Sequence, residues 1–299
     1  MALLSNRNTN SARQLRELLS ASDLIQAPGA YDCLSARLIE AAGFPVVYMT
    51  GFGTSAAYLG RPDVGLLGMS EMVDNAKRIV DAVAIPVIAD ADTGYGNAMN
   101  VIRTVRAYEN AGVAGIHIED QVAPKRCGHL EGKLLVPAAE MVQKIRAAVD
   151  ARNSSNFSSL RERMRGPSRV STAPWSVPLY REAGADVLFV EAPETDQEVE
   201  AIAERLRGTP LLFNWAEGGK TPPVSLERLR ELGFRVVIFP ISTLLIASQA
   251  ITKALQVIKQ QGTPMSVMAY MTPFKDFVNS LGFEEIRELE KQYTSERRT

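Results

Sequence analysis

The chain has 299 residues, 46% of them hydrophobic, and 33 basic side chains against 34 acidic ones. That is enough apolar material for one large domain or two ordinary ones, and the near-zero net charge excludes both a basic footprint for nucleic acid and an acidic tail. Two cysteines, Cys33 and Cys127, cannot build a disulfide framework, and the start MALLSNRNTNSARQL lacks the apolar core of a signal peptide, so a reducing cytoplasm is the expected setting.

Short apolar runs recur along the chain at Leu24–Ala27, Val46–Thr50, Val87–Ala89, Gly115–Ile118, Val187–Val190, Leu211–Phe213 and Val236–Phe239. Between them lie segments of helical periodicity, among them Cys33–Ala42, Met72–Val83 and Ala138–Ala151. Near-continuous apolar strands alternating with helices indicate a parallel sheet covered on both faces. Seven strands are visible, and a gap the length of one βα unit separates Ala151 from Tyr180. The expected fold is therefore an α/β (β/α)8 barrel with its fifth strand obscured, preferred over a doubly wound sheet. Residues 1–299 read as one barrel domain with a C-terminal helical extension from about 265 to 299. The most apolar stretch, Val236–Ala250, is interrupted by Pro240, Ser242, Thr243, Ser248 and Gln249 and reads as a buried strand plus helix, so no membrane partner is expected.

In such barrels the active site lies at the carboxyl ends of the strands. Those ends are acidic here: Asp90-Ala91-Asp92 after the third run, Glu119-Asp120 after the fourth, and Asp63 beyond the second. Carboxylates two residues apart at a strand end can converge on a hard cation, for which Mg²⁺ is the natural candidate and Mn²⁺ the other that the same ligands accept. The competing use of Asp90 and Asp92 is to cap a helix or shape a turn. A second dense segment runs Lys125-Arg126-Cys127-Gly128-His129-Leu130-Glu131-Gly132-Lys133. Positive neighbours are expected to favour the Cys127 thiolate and prepare it to exchange protons, with Gly128 and Gly132 letting the loop close as a lid. Cys33 reads as a small buried residue, and His117 either as a satisfied core histidine or as a ligand contact.

Five blocks in order, Tyr48-Met49-Thr50-Gly51, Leu59-Gly60-Arg61-Pro62-Asp63, Asp90 to Gly96, Ile118-Glu119-Asp120-Gln121 and Lys125 to His129, resemble the signature blocks of the isocitrate lyase and phosphoenolpyruvate mutase superfamily. The resemblance runs from about Ser11 to Arg152 and resumes at Leu179. It implies that Asp90 and Asp92 hold Mg²⁺ directly or through water, with Asp63 and Glu119 behind them. Cys127 would be the general acid, Lys125 and His129 would belong to the same gating loop, and the Tyr48 hydroxyl would point to the reacting centre. Thr50, Gly51, Phe52, Gly128, Glu191, Asn214, Glu217 and Gly218 would contact a small carboxylate substrate. A homo-oligomer, dimer or tetramer, with exchanged C-terminal helices is implied as well. The branch that cleaves 2-methylisocitrate resembles this chain less, because Leu245 stands where an arginine for a third carboxylate would fall. The expected activity is carbon–carbon cleavage of a 2-hydroxy dicarboxylate such as 2,3-dimethylmalate; the alternative within the fold is a carboxyphosphonoenolpyruvate mutase.

Residues 158–178 read SSLRERMRGPSRVSTAPWSVP, with three prolines and no apolar run, and are expected not to form a buried strand. The resemblance implies a strand ending Ala-Arg-Thr-Asp-Ala-Arg here, whose first arginine clamps a substrate carboxylate. Read one base upstream, the codons of Ser158–Pro178 permit VITARTDARAVTGLDGAMERA, the shifted arginine codon spanning Arg161 and Glu162. A compensated frameshift is preferred over a genuinely diverged loop, and the sequence as it stands would give a catalytically impaired barrel. Sequencing the gene across this stretch, or a peptide mass map of it, is expected to return the shifted reading; peptides of the unshifted segment from a fully active enzyme would overturn it.

Overall fold

The computed structural model describes residues 10–21, 23–130, 132–163 and 177–294. Eight parallel strands close a barrel in sequence order: β1 (Ile25–Ala30), β2 (Val47–Met49), β3 (Val87–Asp90), β4 (Gly115–Glu119), β5 (Ser158–Arg163), β6 (Val187–Val190), β7 (Leu211–Asn214) and β8 (Phe234–Phe239). The ring shuts where Ile25 to Pro28 pair with Val236 to Phe239. Helices α1 (Ser11–Ser20), α2 (Cys33–Ala41), α3 (Gly51–Leu59), α4 (Met69–Ala82), α5 (Ala98–Ala111), α6 (Ala138–Asp150), α7 (Val177–Glu182), α8 (Asp196–Arg205) and α9 (Leu226–Glu231) intervene. All seven runs picked out in the sequence are strands.

Strand alternation divides the apolar residues into two layers. Ile25, Ala27, Tyr48, Ile88, Leu160, Phe189, Leu212 and Ile238 pack together inside the barrel, with Leu15 and Leu19 of α1 joining them. Val47, Met49, Ala89, Ile116, Ile118, Leu188, Phe213 and Val237 pack with the helices outside. Following the inner set toward the strand ends leads to Asp90 beyond Ile88, Glu191 beyond Phe189, Asn214 beyond Leu212 and Pro240 beyond Ile238. Interior packing and site chemistry thus share one face of each strand.

The expectation that residues 158–178 form no strand is corrected at Ser158–Arg163. This segment pairs with β4 from Gly115↔Ser158 to Glu119↔Glu162 and with β6 from Leu160↔Val187 to Arg163↔Val190. Hydrogen bonding on both edges satisfies its backbone without an apolar run, which is the larger requirement for a central strand. Its entry is pinned: the carbonyl of Phe157 accepts from Arg16 and Arg152, and both guanidinium groups also bind Asp186, at 3.1 and 3.0 Å. Ser158 and Leu160 are buried. The rest of the proposed frameshift, 164–176, lies outside the described residues.

Among the described residues, those up to Leu244 form one compact unit and those from Leu245 onward another. The second contains most of α10 (Ser242–Gln261), a 3-10 turn at Met265–Tyr270, α11 (Phe274–Ser280) and α12 (Phe283–Thr294). Position 265, where the extension was expected to begin, opens that 3-10 turn. No residue of α10 or α11 is buried, and Phe274 is 83% exposed. No helix among the described residues is long and apolar enough to cross a membrane.

One close approach closes the ring near the site. A Cβ on Gly29 of β1 would stand 2.3 Å from the carbonyl oxygen of Pro240. Because that obstacle is backbone, Gly29→Ala is expected to lower the stability of the barrel by about 1–3 kcal/mol, the range of overpacking substitutions, read as a shifted denaturation midpoint. An unchanged midpoint would mean that the β1–β8 seam is looser than described.

Candidate active site

At the C-terminal mouth of the barrel lies a cavity of about 190 Å³. Its floor is made by strand-end residues: Tyr48, Asp90, His117, Glu119, Phe189, Glu191, Asn214 and Ile238. Thr50 and Phe52 contribute from the start of α3, where the Thr50 hydroxyl caps the helix by accepting from Gly53 N–H. A helix start offers unpaired N–H groups and partial positive charge, suited to a carboxylate. Asp63, Lys125, Cys127, Gly128, His129 and Leu130 close one side, and Ala216 to Gly219 with Pro240 and Ile241 close the other.

The Lys125 ammonium is almost fully buried and stands 2.7 Å from both Asp63 Oδ2 and Asp92 Oδ1. Burial alone would lower its pKa, but the carboxylates of Asp92, Glu119, Asp90 and Asp63 outweigh that and hold it well above the usual lysine value. One cation does not balance four buried acids. Burial pushes Asp92 up to about 6 and raises Asp63, despite the lysine beside both.

The acidic loop after β3 is held from behind. The Asp90 side chain accepts from Asp92 N–H, so it shapes the turn as well as facing the cavity, whereas α5 is capped by Asn97. Tyr108 donates to the Asp90 carbonyl, Thr104 to that of Gly94 and Lys144 to that of Thr93. These bonds offset a strained backbone: Asp92 and Tyr95 have φ of 47° and 58°, and Ala192 beside Glu191 has 57°. Each such non-glycine residue costs about 1–3 kcal/mol, and all three flank the cavity. Gly51 is obligatory for packing rather than part of the cavity wall, because a Cβ there would stand 2.4 Å from Asp90 Oδ2.

The loop 125–133 lies against the strand ends. Cys127 N–H donates to the Asp63 carbonyl, and Lys133 Nζ donates to that of Gly128. His129 Nδ1 accepts from Lys220 N–H, which leaves Nε2 as the donor to Glu191 Oε1 at 3.1 Å. Asn214 Nδ2 also donates to both Glu191 oxygens, at 3.1 and 3.2 Å. One sequence expectation is corrected here. Burial, with Glu191 and Asp63 nearby, pushes the Cys127 thiol up to about 12, overriding Lys125 and the His129 backbone. The thiol form is therefore favoured, not the thiolate. Gly128 is closely packed, since a Cβ there would lie 2.4 Å from Glu191 Oε1.

Of the residues expected at the site, only Gly51 and Asp92 lie off the cavity wall, and both touch residues that form it. His117 lines the cavity, and its Nδ1 lies 3.2 Å from the Tyr48 hydroxyl. Glu217 is tied to the Ser242 hydroxyl at the start of α10. Cys33, expected to be buried, opens α2 half-buried. Phe189, Ile238, Pro240, Ile241 and Gly219 were not foreseen; counting every second residue along the strands, from Val187 and Val236, would have found the first three.

A closed βα barrel with clustered carboxylates, one buried lysine and a protonated thiol at its C-terminal mouth defines a barrel enzyme. Residues 15–259 match the family described as phosphoenolpyruvate phosphomutase. A 2,3-dimethylmalate lyase of Eubacterium barkeri is 46% identical over 289 residues, covering 96% of this chain and 100% of its own. A crystal structure of 2,3-dimethylmalate lyase, described as a PEP mutase/isocitrate lyase superfamily member, superposes with a TM-score of 0.87 at 39% identity, over 94% of this chain and 95% of that one. A phosphonopyruvate hydrolase solved with oxalate and Mg²⁺ superposes with a TM-score of 0.86 at 30% identity, over 95% and 99%. The chain belongs to the phosphoenolpyruvate mutase and isocitrate lyase superfamily.

The direction of the Cys127 shift has a direct readout. Ultraviolet titration of the thiols is expected to show no thiolate below the ordinary cysteine value of 9.0, because burial raises Cys33 as well as Cys127. An ionisation step at neutral pH that disappears in Cys127→Ser would reverse this reading.

Proposed function

We propose that the protein is a divalent-metal-dependent carbon–carbon lyase that cleaves a small 2-hydroxy dicarboxylate of the malate type, 2,3-dimethylmalate or a near relative. The observation that carries this reading is the Cys127 thiol, kept protonated by burial, on the wall of a cavity whose floor holds Asp90, Glu119 and Lys125. In the cleavage the carbinol proton passes to a carboxylate of the acidic cluster, the C–C bond breaks, the carbinol becomes the carbonyl of a 2-oxo acid and the departing fragment is left as an enolate. That carbon needs a proton, and a neutral thiol on the loop above it supplies one.

The residues fit a divalent ion. Among the described residues, the buried Lys125 ammonium pairs with Asp63 and Asp92, with Asp90 and Glu119 close by, so the cluster is rich in carboxylates. Among the described residues no three acidic, histidine or cysteine side chains form a ready cage. Mg²⁺ and Mn²⁺ are hard ions that accept one or two carboxylates and keep water or substrate oxygens as their other ligands, so a full protein cage is not required. Asp90 and Asp92 would hold the ion directly or through water, with Asp63 and Glu119 behind; when bound, it supplies Lewis-acid stabilisation of the enolate oxygen.

The chain's own groups do the rest. The start of α3 at Thr50, Gly51 and Phe52 binds one substrate carboxylate, and Lys125 balances the acids around it. Glu191 and Asn214, fixed by His129, orient the other end of the substrate beside Gly128, Glu217 and Gly218, while Tyr48, paired with His117, presents its hydroxyl to the reacting centre. The loop 125–133 excludes water so that the enolate is protonated by Cys127 alone. Among the described residues the cavity wall has Lys125, His117 and His129 as basic side chains, each already beside a carboxylate, and β8 is followed by Pro240 and Ile241. A third carboxylate would be buried without a countercharge, which favours dicarboxylates.

The exposed apolar residues of the helical unit, from Ile246 and Leu255 to Phe274 and Phe283, support a homo-oligomer in which another copy covers them. Two free cysteines fit a reducing cytoplasm.

Incubation with 2,3-dimethylmalate and Mg²⁺ is expected to release a 2-oxo acid, with chelation of the metal stopping it; Asp90→Ala and Asp92→Ala are expected to be inactive but folded. Substantial turnover in either variant at limiting metal would defeat the metal assignment. Cys127→Ser is expected to bind substrate yet lose about 10²–10⁴-fold in turnover, the range of general-acid catalysis. Near-normal lyase activity in that variant would shift the reading toward the mutase. Sedimentation at micromolar concentration is expected to show dimers or tetramers, and a monomer would count against assembly through the helical unit.

A further inference from the structure

We propose that Gln121 is a positioning residue: its side-chain amide clamps the backbone of Arg126 and so holds Cys127 over the cavity. Gln121 Nε2 donates to the Arg126 carbonyl at 2.6 Å, and Arg126 N–H donates to Gln121 Oε1 at 3.0 Å. The side chain is 1% exposed. One amide therefore matches the donor and acceptor of one residue's main chain, as a neighbouring strand would. An amide side chain offers a donor and an acceptor side by side, and in a buried setting each bond left unmade costs free energy.

The placement matters as much as the bonds. Gln121 follows Glu119 by two residues, at the end of β4, and its backbone sits in a short antiparallel neck, bridging to Leu135, with Val122 N–H donating to Leu134 O and Val136 N–H to Asp120 O. The loop 125–133 is the excursion between the two sides of this neck. From its base the Gln121 side chain reaches the loop one residue before Cys127, whose own N–H is anchored on the opposite side by the Asp63 carbonyl at 3.2 Å. Lys125, Cys127, Gly128 and His129 line the cavity, whereas Arg126 does not. The clamp thus works from outside the cavity and ties the thiol to the strand that carries Glu119, fixing the distance between proton donor and acidic cluster without occupying substrate space.

The inference rests on the proposed reaction only for the role of Cys127; the clamp itself can be read from thiol accessibility. In a Cys33→Ser background, where Cys127 is the single thiol, Gln121→Met keeps the shape of the side chain but makes neither bond, and Gln121→Glu keeps the acceptor for Arg126 N–H but loses the donor. Iodoacetamide labelling of Cys127 is expected to speed up about tenfold or more in Gln121→Met and less in Gln121→Glu. Turnover is expected to fall on the order of 10²-fold, with a smaller change in KM, as for a misplaced reacting group. Circular dichroism verifies folding, and Gln121→Glu decides alone where Gln121→Met does not fold. Labelling at the parent rate overturns the proposal whatever happens to turnover. Faster labelling with unchanged turnover upholds the clamp and removes Cys127 from the proposed reaction.

Discussion

The Lys125 ammonium, bridging Asp63 and Asp92 at 2.7 Å each, makes loop closure and charge balance a single event. Asp63, Asp90, Asp92 and Glu119 come from three different βα segments and are all buried. Left to themselves they would repel one another in a medium that screens poorly. The cation they share is not on a strand but on the loop after β4, so the acids draw that loop down, and with it Cys127 and His129. In the closed arrangement Lys125 thus seats the loop on the acidic strand ends.

Much of the architecture was legible because parallel barrel strands are buried on both sides. Val187–Val190 is found to the residue, and Ala138–Ala151 differs from α6 by one position. The same alternation that sorts Ile88 and Phe189 inward carries Asp90 and Glu191 to the mouth, so a sequence count of every second residue gives the floor of the site before any geometry is known. What that count cannot give is the distance between segments. The contact of Gly128 with Glu191 joins positions more than sixty residues apart, and nothing in the sequence announces how closely that glycine is packed.

The error over Cys127 has a definite physical origin. Chain neighbours Lys125, Arg126 and His129 suggest a positive environment, but Lys125 spends its charge on Asp63 and Asp92, and His129 faces Glu191. Burial then dominates, and the sign of the shift reverses. Sequence adjacency counts charges; only the fold says which of them are already engaged. In the sequence Gln121 stands out only as the end of the block Ile118-Glu119-Asp120-Gln121, for a related reason: its two bonds to a backbone five residues away are visible only in the fold.

β5 shows the limit from the other side. Its residues give no strand signal, yet the ring closes through them because β4 and β6 supply hydrogen bonds along both edges and Arg16 and Arg152 fix the entry at Phe157. Backbone pairing is indifferent to side chains, so the barrel tolerates whatever sequence stands there. Substrate binding does not. Position 162 is in register with Glu119, at the mouth, and the chain carries glutamate where the resemblance implies that an arginine meets a carboxylate. The shifted reading would place an arginine at that same register position, so the two versions of the segment differ in charge beside Glu119.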